Sequence, residues 1–362
     1  MIHRWDLIST HYPNLKVILT RNADPQRPWK LIPDIYNFCV KFLPDSIKIS
    51  NHIAFSPGLL KFVRDNKCDS KSIHIFEDVS GLNAFLIRFF NYKDDFYLMN
   101  DGGFVSTTKR LSQFIRWNFI GKKCKASMSP GNFGKKYMLA WGFSEDKIFN
   151  SYLSPDVEYF KRYLRSEECK VNRESIRQDL NINENDTVLF ANSRLLDWKR
   201  LIDFYDGLLL LDCNTLSKIY VILLGDGPDK VTLDKFKSQK LFKFLWLGQV
   251  EYECVLKYYS VSDILIHPSI GDIWGLVINE SLLLGKPVIC TNVIGAADLI
   301  TDGFNGFKIS EKNPQELSFY IDKIVNDKEL LKTLSLNALS ISKTWNSYLF
   351  LCEFRKMITI NN

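Results

Sequence analysis

The sequence has few of the features that mark secreted, metal-binding or membrane-spanning proteins. Its eight cysteines include no Cys-x-x-Cys pair, and its five histidines lack the spacing of metal ligands. This pattern favours reduced, mostly buried thiols and gives no sign of a disulfide framework or a zinc site. No apolar run approaches the ~18 residues of a membrane span, and no signal peptide is evident. We therefore expect a cytoplasmic protein without a metal or other cofactor, whose membrane contacts, if it has any, are peripheral.

The length and the order of predicted elements indicate two domains. The chain has 362 residues, of which 46% are hydrophobic and 24% charged, which is long for a single core. Strands at 15–20, 96–99 and 125–128 alternate with helices, and a second alternating series starts at 187 after a polar stretch at 154–185. Such alternation predicts an α/β fold of two doubly wound, Rossmann-like domains, with a cleft between them and ligands at the carboxyl ends of the strands.

Charge is unevenly distributed along the chain. Residues 1–165 contain 25 Lys and Arg against 15 Asp and Glu, whereas residues 166–362 contain 22 against 26. Between 102 and 144 there are eight basic residues, no acidic residue and several aromatic rings. A basic, aromatic surface is attracted to an anionic bilayer, although an ordinary solvated face has the same composition. The candidate acceptor or membrane face comprises Lys109, Arg110, Arg116, Trp117, Lys122 and Lys123. No motif for reading nucleic acid accompanies them.

The most informative stretch is 263–285, which reads as strand, glycine-containing loop and helix. The strand at 264–267 ends in a turn, Gly275 opens the helix, and Gly285 closes it. The first amide groups of a helix have no internal partner and its dipole is positive there, so this arrangement predicts an anion site that suits phosphate. Asp272 and Glu280 flank the helix start, with seven residues between them. The alternative is a buried strand–helix unit with two solvated acids.

Two cations follow the strand at 187–191, the first of the second series. Arg194 and Lys199 are expected near the same strand ends, where they could hold a diphosphate and offset its charge as it leaves. No Asp-x-Asp motif exists to hold a metal on the diphosphate. Gly225 and Gly227 end another strand, where either close approach to a ligand or a plain turn explains the glycines.

Five motifs resemble glycosyltransferase family 4, the retaining nucleotide-sugar enzymes of GT-B fold. They are G-D-G-P at 225–228, L-G-Q-V at 247–250, Y-Y-S-V-S-D at 258–263, P-S-I-G-D-I-W-G-L-V-I-N-E-S at 268–281 and G-A-A-D-L-I-T-D-G-F-N-G-F at 295–307. The resemblance covers about 185–330 in detail and the first part of the chain in outline. It implies an acceptor-binding domain at 1–160, a donor-binding domain at 161–343 and a final helix at 344–362 that crosses back to the first domain.

The resemblance also implies roles for particular residues. The family's two-carboxylate motif falls on Asp272, placed near the donor sugar, and on Glu280, placed on the ribose. Its diphosphate ligands fall on Arg194 and Lys199. The implied donor-binding residues are Gly225, Gly227, Gly248, Trp274, Gly275, Leu276 and Glu280, and the implied catalytic residues are Asp101, Arg194, Lys199 and Asp272. The basic region at 109–136 suggests an acceptor presented at the inner face of the membrane, such as a glycan or lipid-linked glycan of a bacterial surface polysaccharide.

Three departures from the family pattern bear on activity. The first acid is Asp272 rather than Glu, which shortens its reach by one methylene. Asp101 stands before two glycines where many members have His; it either orients the donor sugar or simply ends a strand. The strand and loop that open the family's first domain have no counterpart before the predicted helix at 3–9.

Two other functions fit the same motifs. A nucleotide-sugar epimerase of this fold would need no acceptor face. A non-catalytic partner of an active transferase would bind nucleotide without consuming a sugar donor, which the change at Asp272 and the lack of a first strand make plausible.

Overall fold

The structure is a computed structural model, which describes residues 124–360 without a gap and shorter segments before them. The described residues are 2–19, 39–42, 47–48, 54–55, 57–65, 73–76, 93–100, 122 and 124–360. The chain divides into two compact units, one of Met1–Leu153 with Ser347–Asn362 and the other of Ser154–Asn346. Among the described residues, no helix is long and apolar enough to cross a bilayer.

The first unit contains short strands and four described helices. Its strands are β1 (Lys16–Leu19), β2 (Cys39–Phe42), β3 (Ile47–Lys48), β4 (Ala54–Phe55), β5 (Ile73–Phe76), β6 (Asp95–Met99), β7 (Ala126–Ser129) and β8 (Ile148–Asn150). Its described α-helices are α1 (Ile2–Ser9), α2 (Pro57–Asp65), α3 (Gly131–Ala140) and, at the end of the chain, α14 (Ser347–Thr359). Strands β5 to β8 form a parallel sheet in sequence order, while β1 pairs with β2.

The alternation of side chains along β6 explains why this sheet is covered on both sides. Phe96 and Leu98 pack with Met138 of α3, whereas Tyr97 packs with Phe350 of α14. Successive strand residues point to opposite faces, so a strand with apolar side chains on both faces needs a packing partner on each. The Tyr97 hydroxyl also donates a 3.0 Å hydrogen bond to the carbonyl of Ile358, which fastens the end of α14 to the sheet.

The second unit contains a six-stranded parallel sheet and ten α-helices. Its strands are β9 (Thr187–Asn192), β10 (Ile219–Leu224), β11 (Lys243–Trp246), β12 (Ile264–His267), β13 (Val288–Thr291) and β14 (Gly306–Ile309). Its helices are α4 (Val157–Arg165), α5 (Glu167–Asp179), α6 (Leu201–Leu209), α7 (Cys213–Ser217), α8 (Lys230–Ser238), α9 (Tyr252–Val261), α10 (Leu276–Leu283), α11 (Pro314–Val325), α12 (Lys328–Ala338) and α13 (Ile341–Thr344), the last of a single turn.

The strand order of this sheet creates a switch point at its centre. The order is β11-β10-β9-β12-β13-β14, so the chain builds outward from β9 in one direction and from β12 in the other. Helices cover both faces: Leu189 of β9 packs in the core that includes Phe204 of α6, and Phe190 contacts Tyr259 of α9 at a ring-centroid distance of 4.8 Å. The helices that follow β9 and β12 pack on opposite faces of the sheet. Sheets of this topology bind ligands at the carboxyl ends of the strands that flank the switch point.

Candidate functional site

Two loops at this switch point lie against each other. The loop after β9 leads into α6, and the loop after β12 leads into α10. The Ile270 amide donates a 2.9 Å hydrogen bond to the carbonyl of Trp198. A side chain at Gly271 would place its Cβ 2.9 Å from the Trp198 ring, so glycine allows the indole to pack on the loop. The sequence predicted both loops at this edge of the sheet but not their contact.

Lys199 and Asp272 form an ion pair across the two loops. The Lys199 Nζ lies 2.7 Å from Oδ1 and 2.5 Å from Oδ2 of Asp272. Both side chains are largely buried, at 11% and 14% exposed, and the ammonium also lies 4.5 Å from the centroid of the Trp198 ring. The ion pair is therefore shielded from solvent far more than a surface pair is.

His267 is a third member of this cluster that the sequence analysis did not identify. Its Nε2 lies 2.5 Å from Oδ2 of Asp272, and its side chain is 3% exposed. Burial tends to raise the pKa of Asp272, but the hydrogen bond from His267 and the charge of Lys199 outweigh it and hold that pKa well below its usual range. Burial lowers the pKa of His267. An ionised carboxylate can only accept, so Nε2 carries a proton and donates it to Oδ2 of Asp272.

Helix α10 begins beside this cluster without a side-chain cap. Gly275 is its first flanking residue, with φ +102°, and no side chain accepts from the first amides of the helix. A Cβ at Gly275 would lie 3.7 Å from Nε2 of His267, so the helix start and the carboxylate cluster are neighbours. Leu276, the first helical residue, is half-buried. The uncapped amides and the Lys199 ammonium provide the positive groups that a phosphate needs.

Trp274, a predicted donor-binding residue, has a buried ring. Its side chain is 3% exposed and stacks on Trp345 with ring centroids 5.0 Å apart. Its Nε1 donates a 2.8 Å hydrogen bond to Asn279. These contacts make the indole a packing residue of the loop, and its backbone carbonyl accepts from the amide of Ala296 at 2.8 Å.

Glu280, the second predicted carboxylate, is buried with two tyrosines. The Tyr259 hydroxyl donates to it at 3.0 Å and the Tyr252 hydroxyl at 3.4 Å. Burial raises the pKa of Glu280 to about 7, although both hydrogen bonds act in the opposite direction. Tyr252 and Tyr259 are seven residues apart on α9, a spacing that predicts a shared helix face but not that this face meets Glu280.

The glycines after β10 and β11 support the loop after β9. Gly225 has φ +113°, and a Cβ there would lie 1.9 Å from the carbonyl oxygen of Ser193. A Cβ at Gly227 would lie 2.4 Å from the carbonyl oxygen of Leu195. The Gly225 amide donates to the carbonyl of Gly248 at 2.7 Å. The close approach that these glycines permit is therefore to the backbone of 193–195, the loop that contains Arg194, whose side chain is half-buried.

The remaining predicted residues belong to the first part of the chain. Asp101, Lys109, Arg110, Arg116, Trp117 and Lys123 lie outside the described residues. Lys122 is described and exposed. In the part of the chain that the structure describes, no group of three or more His, Cys, Asp or Glu side chains could hold a metal ion.

Comparison with known proteins adds to the motifs of the second unit. Residues 172–340 match the family model described as glycosyl transferases group 1. The chain is 31% identical over 125 residues to an uncharacterized glycosyltransferase of Methanocaldococcus jannaschii, covering 34% of this chain and 36% of that protein. It is 26% identical over 235 residues to the alpha-monoglucosyldiacylglycerol synthase of Acholeplasma laidlawii, covering 64% of this chain and 57% of that enzyme. The match spans less than two thirds of either relative.

A solved structure extends the likeness to nearly the whole chain. The structure of Anabaena HepE in complex with UDP has a TM-score of 0.78 and 18% identity, covering 98% of this chain and 95% of that chain. The prediction of two parallel α/β domains is confirmed. The chain therefore has the GT-B fold, and its residues 172–340 carry the sequence pattern of the glycosyl transferases group 1.

Proposed function

We propose that this chain is a retaining glycosyltransferase of family 4, which moves a sugar from a nucleotide diphosphate sugar to a glycan or lipid-linked acceptor in bacterial surface polysaccharide synthesis. The observation that carries the proposal is the pairing of Lys199 with Asp272 beside the uncapped start of α10. A cation, a helix start without a side-chain cap and a largely buried carboxylate meet at the switch point of a doubly wound sheet, which suits the diphosphate and the sugar of such a donor. We assign the donor to 161–343 and the acceptor to 1–160.

The proposed reaction transfers the anomeric carbon between two oxygens. The acceptor oxygen forms a bond to this carbon on the face from which the diphosphate departs, and the bond between the carbon and the phosphate oxygen breaks. The acceptor proton passes to the departing phosphate oxygen, so no strong protein base is needed and the configuration is retained. Lys199, Arg194 and the first amides of α10 stabilise the negative charge that develops on the diphosphate, without a metal. Asp101 and Asp272 orient the sugar.

Glu280 is the proposed ribose ligand. An ionised carboxylate can accept hydrogen bonds but cannot donate them, and the two ribose hydroxyls can donate. Its burial with Tyr252 and Tyr259 keeps the carboxylate in a fixed position, at the cost of the raised pKa described above. A bound ribose would supply the further donors that favour the ionised form.

A thermal-shift panel of UDP, GDP and ADP with their sugar derivatives, each with and without Mg²⁺, tests the donor site. We expect one base to stabilise the chain regardless of metal, by about 2.7 kcal/mol at 100 times its dissociation constant. If none of the nucleotides shifts the melting temperature, the proposal is overturned. If a nucleotide binds but its sugar is not transferred to any acceptor offered, the non-catalytic partner is favoured instead. Formation of a new sugar nucleotide without an acceptor identifies an epimerase.

We further propose that the acceptor is presented at an anionic membrane surface. The support is the run of eight basic residues without an acid between 102 and 144, each of which contributes about 1 kcal/mol when it lies close to anionic lipid. We expect the purified chain to co-sediment with phosphatidylglycerol vesicles at low salt and to be released at high salt. Equal sedimentation with neutral phosphatidylcholine vesicles, or none with either, would contradict this proposal.

A further inference from the structure

The Asp272 carboxylate is held by two groups that are attached to the fold in different ways. Lys199 reaches it from the loop after β9 with a long, flexible side chain. His267 reaches it from the last position of β12, where its backbone pairs with Cys290 in the sheet. The imidazole is 3% exposed, so packing and the sheet fix its ring, and it cannot leave the carboxylate without a change in the core.

This difference matters when a diphosphate enters the site. The incoming anion and Asp272 compete for the Lys199 ammonium, since both are negatively charged. If Lys199 turns to the diphosphate, the carboxylate loses its contact with the ammonium and one oxygen becomes available to accept from a sugar hydroxyl. The hydrogen bond from His267 to Oδ2, at 2.5 Å, then remains to keep the carboxylate in place.

The contact also accounts for the length of the acidic side chain. A glutamate at this position would add one C–C bond, about 1.5 Å, to a carboxylate that already lies in hydrogen-bond contact with Nε2. No such length fits between the two groups without displacing the ring or turning the carboxylate away from it. The length of the Asp272 side chain therefore fits its contact with His267.

We propose that His267 is a positioning residue for sugar transfer, which fixes the Asp272 carboxylate against the donor sugar once Lys199 has engaged the diphosphate. This inference rests on the proposed function. His267 does not touch the reacting atoms; it acts through Asp272. The residue consequently affects recognition of the sugar more than recognition of the nucleotide.

Two substitutions separate positioning from packing. His267→Leu keeps an apolar body of similar size and removes the donor, whereas His267→Gln restores an N–H near the position of Nε2. Dissociation constants are measured for UDP with UDP-glucose, GDP with GDP-mannose and ADP with ADP-glucose, on whichever pair binds the wild-type chain. We expect His267→Leu to change nucleoside diphosphate affinity by less than about threefold but to weaken sugar nucleotide binding at least tenfold, and His267→Gln to recover most of that loss.

Two results would contradict the positioning role. One is an equal loss for the nucleoside diphosphate and its sugar derivative in His267→Leu, which indicates general damage to the site. The other is identical behaviour of the Leu and Gln variants, which shows that the N–H is not used. Failure of the wild-type chain to bind any of the six nucleotides would instead overturn the proposed function, and with it a role for His267 in transfer.

A spectroscopic measurement tests the contact without relying on activity or on the Leu variant. In a chain with ¹⁵N-labelled histidine, the ring signal missing from His267→Gln identifies His267. We expect the Nε2–H tautomer with a downfield, slowly exchanging ring proton, and a marked shift of that proton in Asp272→Asn. The Nδ1–H tautomer, or a proton that Asp272→Asn leaves unmoved, would overturn the inference.

Discussion

Replacing Lys199 by alanine is expected to slow sugar transfer by roughly 100- to 1,000-fold, the range seen when one preorganised donor to a developing negative charge is removed. The ammonium is already in place before a donor arrives, because Asp272 holds it at 2.7 Å and the Trp198 ring lies 4.5 Å away. Asp272 retains its hydrogen bond from His267 in this variant, so we expect the chain to fold. The measurement is kcat for release of the nucleoside diphosphate at saturating donor and acceptor.

Lys332→Ala is the matched control for this variant. Lys332 is an exposed cation of the same unit, on α12, and its removal lowers the net charge equally. We expect it to transfer sugar at the wild-type rate. A Lys199→Ala variant that is folded and turns over within threefold of wild type would show that the ammonium does not stabilise the departing diphosphate.

Much of the second unit was predictable because its strands are continuous apolar runs. The strand at 264–267 was predicted at its observed limits and the following helix at its observed start, Leu276, since the end of the apolar run and Gly275 mark these positions. After the strand at 187–191, the apolar residues that follow Lys199 predict a helix over 199–211. The helix α6 begins instead at Leu201, because Arg200 adopts a left-handed conformation with φ 54°. Lys199 therefore lies in a 3-10 turn, and this placement brings it to Asp272.

Helices α4 and α5 were not predicted, although the sequence contains their caps. Asp156 accepts from the amide of Tyr159, and Ser166 accepts from the amide of Cys169. The stretch at 154–185 is polar and charged, which predicts a linker in its first part, and α5 has little apolar periodicity to indicate a helix. Arg173 holds it to α9 through the carbonyl of Ser260 and through Asp263. Ion pairs and carbonyl contacts of this kind join residues distant in sequence, so no local pattern reveals them.

In the candidate site, too, local motifs predicted individual residues but not their contacts with residues distant in sequence. The motif identified Asp272 and Glu280, but their environments depend on residues from other elements. His267 precedes Asp272 by only five residues, and an apolar strand that ends in histidine is more often a packed core position than a functional one. Tyr252 and Tyr259 belong to a separate helix. Their contact with Glu280 follows from the packing of α9 and α10 on the same face of the sheet, which sequence alone does not specify.

Replacing Glu280 by glutamine is expected to stabilise the chain at alkaline pH while weakening nucleotide binding. The carboxyl pKa is raised from an ordinary 4.5 to about 7 in the folded chain, so the folded state binds the proton more tightly than the unfolded state. Its contribution to stability is full below about pH 4.5 and is lost as the pH rises through about 7. Between about pH 5.5 and 8 the loss is about 2 kcal/mol. Glutamine carries no charge and does not incur this loss.

Urea unfolding of the two chains at about pH 5.5 and 8 measures the effect. We expect the difference in unfolding free energy, variant minus wild type, to increase by about 2 kcal/mol between the two pH values. Glu329→Gln is the control, since Glu329 is exposed on α12 and should give no such increase. A difference that is constant with pH would show that the buried carboxyl does not titrate as its environment requires.

Nucleotide binding by Glu280→Gln tests whether the buried carboxylate binds the ribose. A ribose donates its hydroxyls to ionised Glu280, so wild-type affinity for the nucleoside diphosphate is expected to rise between about pH 5.5 and 7.5, with release of a proton that calorimetry in buffers of different ionisation heat detects. Glu280→Gln is expected to bind the nucleoside diphosphate more weakly and without releasing a proton. The ionised Glu280 would then lower the unfolding free energy of the empty chain and raise its affinity for the nucleotide, a trade of stability for function. If the variant gains stability and keeps the wild-type affinity and its pH dependence, Glu280 is not the ribose ligand.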